Sequence, residues 1–226
     1  LGLSKSTFNR VTKHELQWHP YKIDEVQKLQ ATDYGRRVAF CRWFLQQVHN
    51  PRFLSNVVIG DEAMFSMNGH VSTQNVRCYA PKGNPPDFKF ERHHSREKLH
   101  VWIGLCGNGE MIGPYSFNRN VNGRTYGDML IRFAFPVIAR IYQRYGLVFD
   151  GVWWMQDGAP AHRTRLIRRI LRQKFENPVV ALDTDRVWPA RSPDLTPCDF
   201  FLWGYLKQKV FSSDIPSLHE LRRRII

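Results

Sequence analysis

No run of about eighteen apolar residues occurs anywhere in this sequence of 226 residues, so no segment reads as a membrane-spanning helix. A CxxC pair, a Gly-rich phosphate loop, a GxSxG nucleophile elbow and paired Cys/His ligands are also missing. The four cysteines, Cys41, Cys78, Cys106 and Cys198, stand far apart. That spacing argues against a zinc ribbon or a disulfide framework and suits a reducing compartment. There is no internal repeat, no low-complexity tract and no visible secretory leader, although a chain opening on Leu1 leaves targeting unjudged.

Negative charge is also short. Lys and Arg number 33 against 20 Asp and Glu, a formal net charge of +13. Such an excess points to a polyanionic partner. Nucleic acid is favoured over a membrane surface, because no lipidation motif or basic amphipathic anchor stands out. Hydrophobic residues make up 42% and aromatic residues 13%, which fits a folded protein with one sizeable core and something short attached.

The start, "LGLSKSTFNRVTKHELQ", reads as a glycine turn and then a helix capped by Ser4, with Phe8, Val11 and Glu15 at helical spacing. This is either the second half of a helix-turn-helix or an ordinary surface helix. "WHPYKID" reads as linker. A helix follows from Thr32 or Asp33, with Val38, Cys41, Leu45 and Val48 as its apolar stripe and Asn50-Pro51 as its end. From residue 56 the period changes. "NVVIGDEAMFSMNG" is a strand closing on Asn68-Gly69, and "NVRCYAPKG" is a further one. "KLHVWIGLCGNGEMIGPYSF" is a hairpin turning at Gly107-Asn108-Gly109. A long helix kinked at Pro136 comes next, then the buried-type strand "GVWWMQD". Next is a basic helix with Leu166, Ile167, Ile170 and Leu171 inward. "VVAL" is a short strand, "SPDLTPCD" a Pro-punctuated loop and "FFLWGYLKQKVF" an amphipathic helix. This order predicts an α/β fold, a mixed sheet flanked by helices and preceded by a small helical segment.

Three acids fall at element ends: Asp61 in the first strand of this region, Asp157 at the end of the fourth, and Asp199 before the last amphipathic helix. Each alone reads as a cap or turn residue. Together they stand where a central sheet can gather them, and desolvated carboxylates need compensation, which a hard divalent cation supplies. Glu62 follows Asp61 and therefore points to the opposite face of the strand.

"GDEAMFSMNG", "DGAPAH" and "SPDLTPCDFFLWGYLK", in that order and rough separation, resemble the catalytic domain of mariner-type cut-and-paste DNA transposases. "SKSTFNRV" resembles the tail of that family's second helix-turn-helix, and "HPYKIDEVQKLQATDYGRRVAFCRWF" resembles its linker. The resemblance implies a ribonuclease-H-like fold and a helix-turn-helix remnant over residues 1–18. It also implies a linker and helix over 19–54 and the catalytic domain over 55–226. It implies Asp61, Asp157 and Asp199 as catalytic metal ligands for two Mg²⁺ or Mn²⁺ ions, which serve strand cleavage and strand transfer. It implies double-stranded transposon-end DNA as partner, a homodimeric parent protein and a nuclear location. The gap from Asp157 to Asp199 is longer than the usual mariner spacing, and Gly158 stands where many relatives have Asn; neither change removes a ligand. Because most of the helix-turn-helix modules are missing and the chain stops at "LRRRII", a truncated or decayed copy is expected. A DNA-binding protein descended from a transposase is the alternative.

Candidate DNA contacts are Lys5, Thr7 and Arg10 in the remnant and Arg163, Arg165, Arg168, Arg169 and Arg172 in a basic run that reaches Lys174 and holds no acid. A solvated helix face is the competing reading of that run. His162 either supports Asp157 or phosphate, or is a packed histidine. His93-His94 reads as a solvated loop, and Trp153 and Trp154 read as core.

Overall fold

A computed structural model describes residues 2–22, 27–67, 77–86, 97–147, 149–175, 179–181, 184 and 186–226. Asn68-Gly69 and His93-His94 lie outside these described residues. At the N-terminus, Ser4 accepts the Thr7 backbone N–H at 3.1 Å and caps α1 (Lys5–Arg10), which widens into a π-helical turn at Val11–Glu15. The stretch expected as linker is instead a strand. β1 (Trp18–Lys22) pairs antiparallel with β3 (Arg77–Pro81), from Trp18 opposite Pro81 to Lys22 opposite Arg77. Phe8 meets the Tyr79 ring edge-on at 5.2 Å, tying α1 to this two-stranded ribbon.

Helix α2 (Ala31–Val48) starts one residue earlier than expected. Gln30 caps it, and Asp33 reaches back to the Gln30 N–H at 2.8 Å. Its expected stripe fails in part, because Val38 and Leu45 are exposed while Phe40, Trp43, Phe44 and Val48 pack inward. The aromatic side chains choose the face, since Phe53, Trp153 and Trp188 offer them ring contacts. Asn50 then caps a new short helix, α3 (Pro51–Ser55), with Pro51 in its first turn.

A six-stranded mixed sheet follows, in the order β5-β4-β2-β6-β7-β8. Strands β2 (Val57–Ser66), β4 (Lys98–Cys106) and β5 (Met111–Phe117) pair antiparallel. β6 (Trp153–Met155), β7 (Val180–Ala181) and β8 (Arg186–Val187) add on in parallel. "NVRCYAPKG" therefore supplies the separate ribbon, not this sheet. The β4–β5 turn needs Gly107, because a Cβ there would lie 1.7 Å from the Leu54 carbonyl oxygen.

One face of the sheet carries a core of Val58, Trp102, Ile112 and Trp154 under α4 (Gly123–Met129), α5 (Phe135–Arg144) and α6 (Arg165–Lys174). The expected single helix with a Pro136 kink is α4 and α5 joined through a π-helical turn at Leu130–Ala134. The wider turn lies just ahead of Pro136, where the hydrogen-bond ladder lacks a donor. In α6, Ile167 and Leu171 are buried and Ile170 partly so, but Leu166 is 45% exposed, against expectation. The opposite face holds two clusters. Ala63, Phe65, Val101 and Ile103 pack on α7 (Trp203–Val210) and α8 (Leu218–Ile225), and Val57, Met155 and Val180 pack on α2 and α3.

Candidate active site

Alternation along β2 sends Asp61 and Glu62 to opposite faces, as the period of two requires. Asp61 is 8% exposed, and its Oδ2 accepts the Trp203 indole N–H at 2.7 Å. Gly60 beside it leaves room for the Trp102 ring, whose atoms lie 2.7 Å from where a Cβ would stand. Glu62 faces His162. The buried imidazole has Nε2 3.1 Å from Glu62 Oε1 and Nδ1 2.8 Å from Asp157 Oδ1. With a carboxylate at each ring nitrogen, both nitrogens act as donors. Burial disfavours the charged ring, but Glu62 and Asp157 outweigh it and raise the His162 pKa to about 10. The ring also tilts against Tyr126, with centroids 4.3 Å apart.

Just beyond β6, Gln156 is buried, and its Oε1 accepts from Tyr126 Oη at 3.0 Å and Trp154 Nε1 at 2.9 Å. That anchor fixes the residue after it. Ile59 pairs with Met155 at the end of the parallel ladder, two residues short of Asp61 on one chain and of Asp157 on the other. Asp157 Oδ1 also accepts the Ala159 N–H at 3.0 Å. Burial pushes Asp157 upward, but the His162 hydrogen bond and charge, with the Ala159 N–H, outweigh it and lower the pKa.

Asp199 sits in a π-helical turn, Cys198–Leu202, that leads into α7. Such turns recur at functional positions. Buried Cys198 anchors the turn while Asp199 faces solvent. Asp157 and Asp199 line one cavity of about 210 Å³, together with Gln27, Trp188 and Arg191. Burial, then Asp199, then Glu62 and Asp157, push Asp61 up to about 8, with Trp203 opposing. Although the Asp199 carboxyl opens to solvent, the protein packed around it and then Asp157 push it up to about 6, with Lys207 opposing. Asp61 is thus pressed by Asp199, Glu62 and Asp157, and Asp199 by Asp157. Among the described residues, no three His, Cys, Asp or Glu side chains are set together to hold a metal ion.

The loop ahead of Asp199 is tied to α2 by two ion pairs of opposite sense. Arg191 donates from Nε and Nη2 to Asp33 at 2.6 Å each, and Arg37 donates from Nη1 to Asp194 Oδ1 at 2.8 Å. Asp194 thus has a structural partner outside the acid cluster.

Arg165, Arg168, Arg169 and Arg172 line a shallow groove on α6 with Gln173, and Arg163 is exposed just before it. Among the described residues, none of these five arginines pairs with an acid. At the N-terminus, Lys5 and Arg10 are exposed, Thr7 is half-buried, and Arg10 lies 3.9 Å from Glu15. Trp154 is fully buried and Trp153 packs against the α2–α3 cluster, so both are core as expected. Sequence reasoning missed Trp203 and the His162 bridge to Glu62. Trp203 carries a usable signal, because it stands one helical turn after Asp199 on the inward face of its helix.

Neither a protein-family model nor a curated protein matches the sequence. Solved structures do. The Mos1 mariner paired-end complex with Mn matches with a TM-score of 0.66 at 21% identity, over 97% of this chain and 61% of that one. The Mos1 paired-end complex with the left transposon end matches at 0.62 and 22%, over 97% and 60%. The isolated Mos1 catalytic domain matches at 0.61 and 19%, over 88% of this chain and 82% of that one. The fold is that of a mariner transposase catalytic domain. It is the expected ribonuclease-H-like mixed sheet flanked by helices. This chain spans about three-fifths of the Mos1 chains in the paired-end complexes. Other Mos1 structures matching this fold are named as a pre-cleavage transpososome and a strand transfer complex.

Proposed function

We propose that this chain is the catalytic domain of a mariner-type cut-and-paste DNA transposase, cleaving DNA strands and joining the freed 3′-hydroxyl to a target. The observation that carries the reading is the arrangement of three acids on this fold: Asp157 and Asp199 line one cavity, and buried Asp61 is held on the central strand by Trp203. Burial first, and neighbouring acids second, raise Asp61 and Asp199, while His162 lowers Asp157. All three donors are hard carboxylates. That chemistry suits Mg²⁺ or Mn²⁺; a bound ion would have to draw these acids closer together than this structure sets them, two ions being the proposal. When bound, such ions supply Lewis-acid stabilisation of phosphoryl transfer.

The chain's own groups have separate tasks in this reading. Trp203 holds Asp61 by one oxygen. His162 bridges Asp157 and Glu62 through its two ring nitrogens. Arg163, Arg165, Arg168, Arg169 and Arg172 grip duplex phosphates without reading bases. Lys5, Thr7 and Arg10 add contacts near the N-terminus. In the parent protein, pairing of two transposon ends in a homodimer and a nuclear location belong to the same proposal.

A DNA-binding protein without strand chemistry is the second reading, favoured by the His162 cation already facing Glu62 and Asp157. Nicking of supercoiled plasmid separates the two. The proposal expects relaxation in Mn²⁺ or Mg²⁺ and none in EDTA. Tight duplex binding with no relaxation under any metal condition would favour the second reading.

A further inference from the structure

We infer that Phe200, Phe201 and Tyr205 form a stacking platform for unpaired nucleobases of a DNA strand, beginning beside Asp199 and running along α7. The inference deepens the transposase reading, since it names the form of DNA that this side of the site receives. The helix turns Trp203 inward at 4% exposure, while Phe200, Phe201 and Tyr205 stand 73%, 63% and 47% exposed. Large aromatic rings grouped on a surface call for a partner. The rings are already ordered. Phe201 and Tyr205, one helical turn apart, stack with centroids 5.7 Å apart and planes within 16°. Another turn on, Lys209 Nζ lies 5.6 Å from the Tyr205 ring centre. The ladder therefore runs ring, ring, ammonium.

That sequence of groups matches a nucleic-acid strand, which offers a planar base and then a phosphate. A duplex hides its base faces within the stack, so unpaired bases fit the platform. A second copy of this chain is the rival occupant, but it brings its own net charge of +13 toward Lys209. Strand opening next to cleaved phosphates would supply unpaired bases a few residues from Asp199.

The test is fluorescence anisotropy in EDTA with a labelled oligothymidylate and a labelled duplex of equal length. The chain is compared with a Phe201→Leu, Tyr205→Leu double variant and with Phe201→Trp. The double variant should bind oligothymidylate about tenfold more weakly or worse, the stacking contribution of a base on an aromatic ring. Its duplex affinity should hold, and Phe201→Trp should keep both affinities. Unchanged oligothymidylate binding in the double variant would overturn the inference. So would equal loss on both DNAs, or loss in Phe201→Trp as large as in the double variant. Sedimentation supplies a further check: wild-type self-association that the double variant abolishes, with oligothymidylate binding intact, would assign the platform to a second copy. Because binding is read without metal, absence of cleavage would sink the transposase reading and leave this result standing.

Discussion

Trp203 donates its indole N–H to Asp61 across 2.7 Å, from the same helical segment that presents Asp199. One element thus supplies an acid and steadies another acid on the central strand. Trp203→Phe keeps a ring in the core and removes the donor. Leaving a buried carboxylate oxygen unpaired costs about 1–3 kcal/mol. Chemical denaturation should show a loss in that range together with reduced strand cleavage, and full retention of both would remove the positioning role.

The imidazole of His162 should be worth more to stability than a surface histidine. It is almost fully buried between Glu62 and Asp157. His162→Ala leaves two acids without their shared cation, and breaking a buried pair costs about 3–5 kcal/mol. Urea unfolding at neutral pH reads the difference, and a loss below about 1 kcal/mol, the worth of a surface pair, would place the ring outside any charge pair.

Asp33 makes acid stability measurable. The hydrogen bonds from Arg191, then the Gln30 N–H, hold its pKa down at about 2, below the ordinary 3.8. A depressed carboxyl contributes fully above its unfolded pKa and loses that contribution as pH falls through its folded one. The melting temperature should therefore fall between about pH 4 and pH 2. Asp33→Asn should flatten that part of the profile, and an unchanged slope would show that the pair carries no acid sensitivity.

Duplex binding should depend steeply on salt and little on sequence, because phosphate contacts carry affinity without base information. Arg169→Ala and Arg172→Ala should each lower the slope of log affinity against log salt by about 1, equally on scrambled and transposon-end duplex. A variant that changes sequence preference instead would mean that α6 reads bases.

Long apolar runs and one hairpin turn made the central strands β2, β4, β5 and β6 legible in sequence. β8 was not legible, since Arg186 and Val187 are both exposed and carry no pattern. In the β1–β3 ribbon, β3 was read as a strand, but β1 and its pairing were hidden because the partners lie far apart in the chain and "WHPYKID" has no alternation. In α2 the period was right and the face right only at Val48, since ring contacts with Phe53, Trp153 and Trp188 decide it. At the site, the motifs singled out Asp61, Asp157 and Asp199. The Glu62 end of the Glu62–His162–Asp157 bridge escaped because Glu62 and His162 stand a hundred positions apart, which no local spacing encodes, whereas His162 beside Asp157 was read from their closeness in sequence.

The most direct test of the account is strand cleavage in Mn²⁺ by Asp61→Asn, Asp157→Asn and Asp199→Asn beside Asp194→Asn, with duplex affinity measured for each. Asn keeps the shape of Asp and removes the charge that a cation needs. Asp194 pairs with Arg37 at a half-exposed site, so its loss should cost about 1 kcal/mol or less of stability and leave cleavage in place. The account predicts that each of the other three variants binds duplex as the wild type does and leaves strands intact. Wild-type cleavage by any one of those three, or equal and complete loss in folded Asp194→Asn, would contradict it.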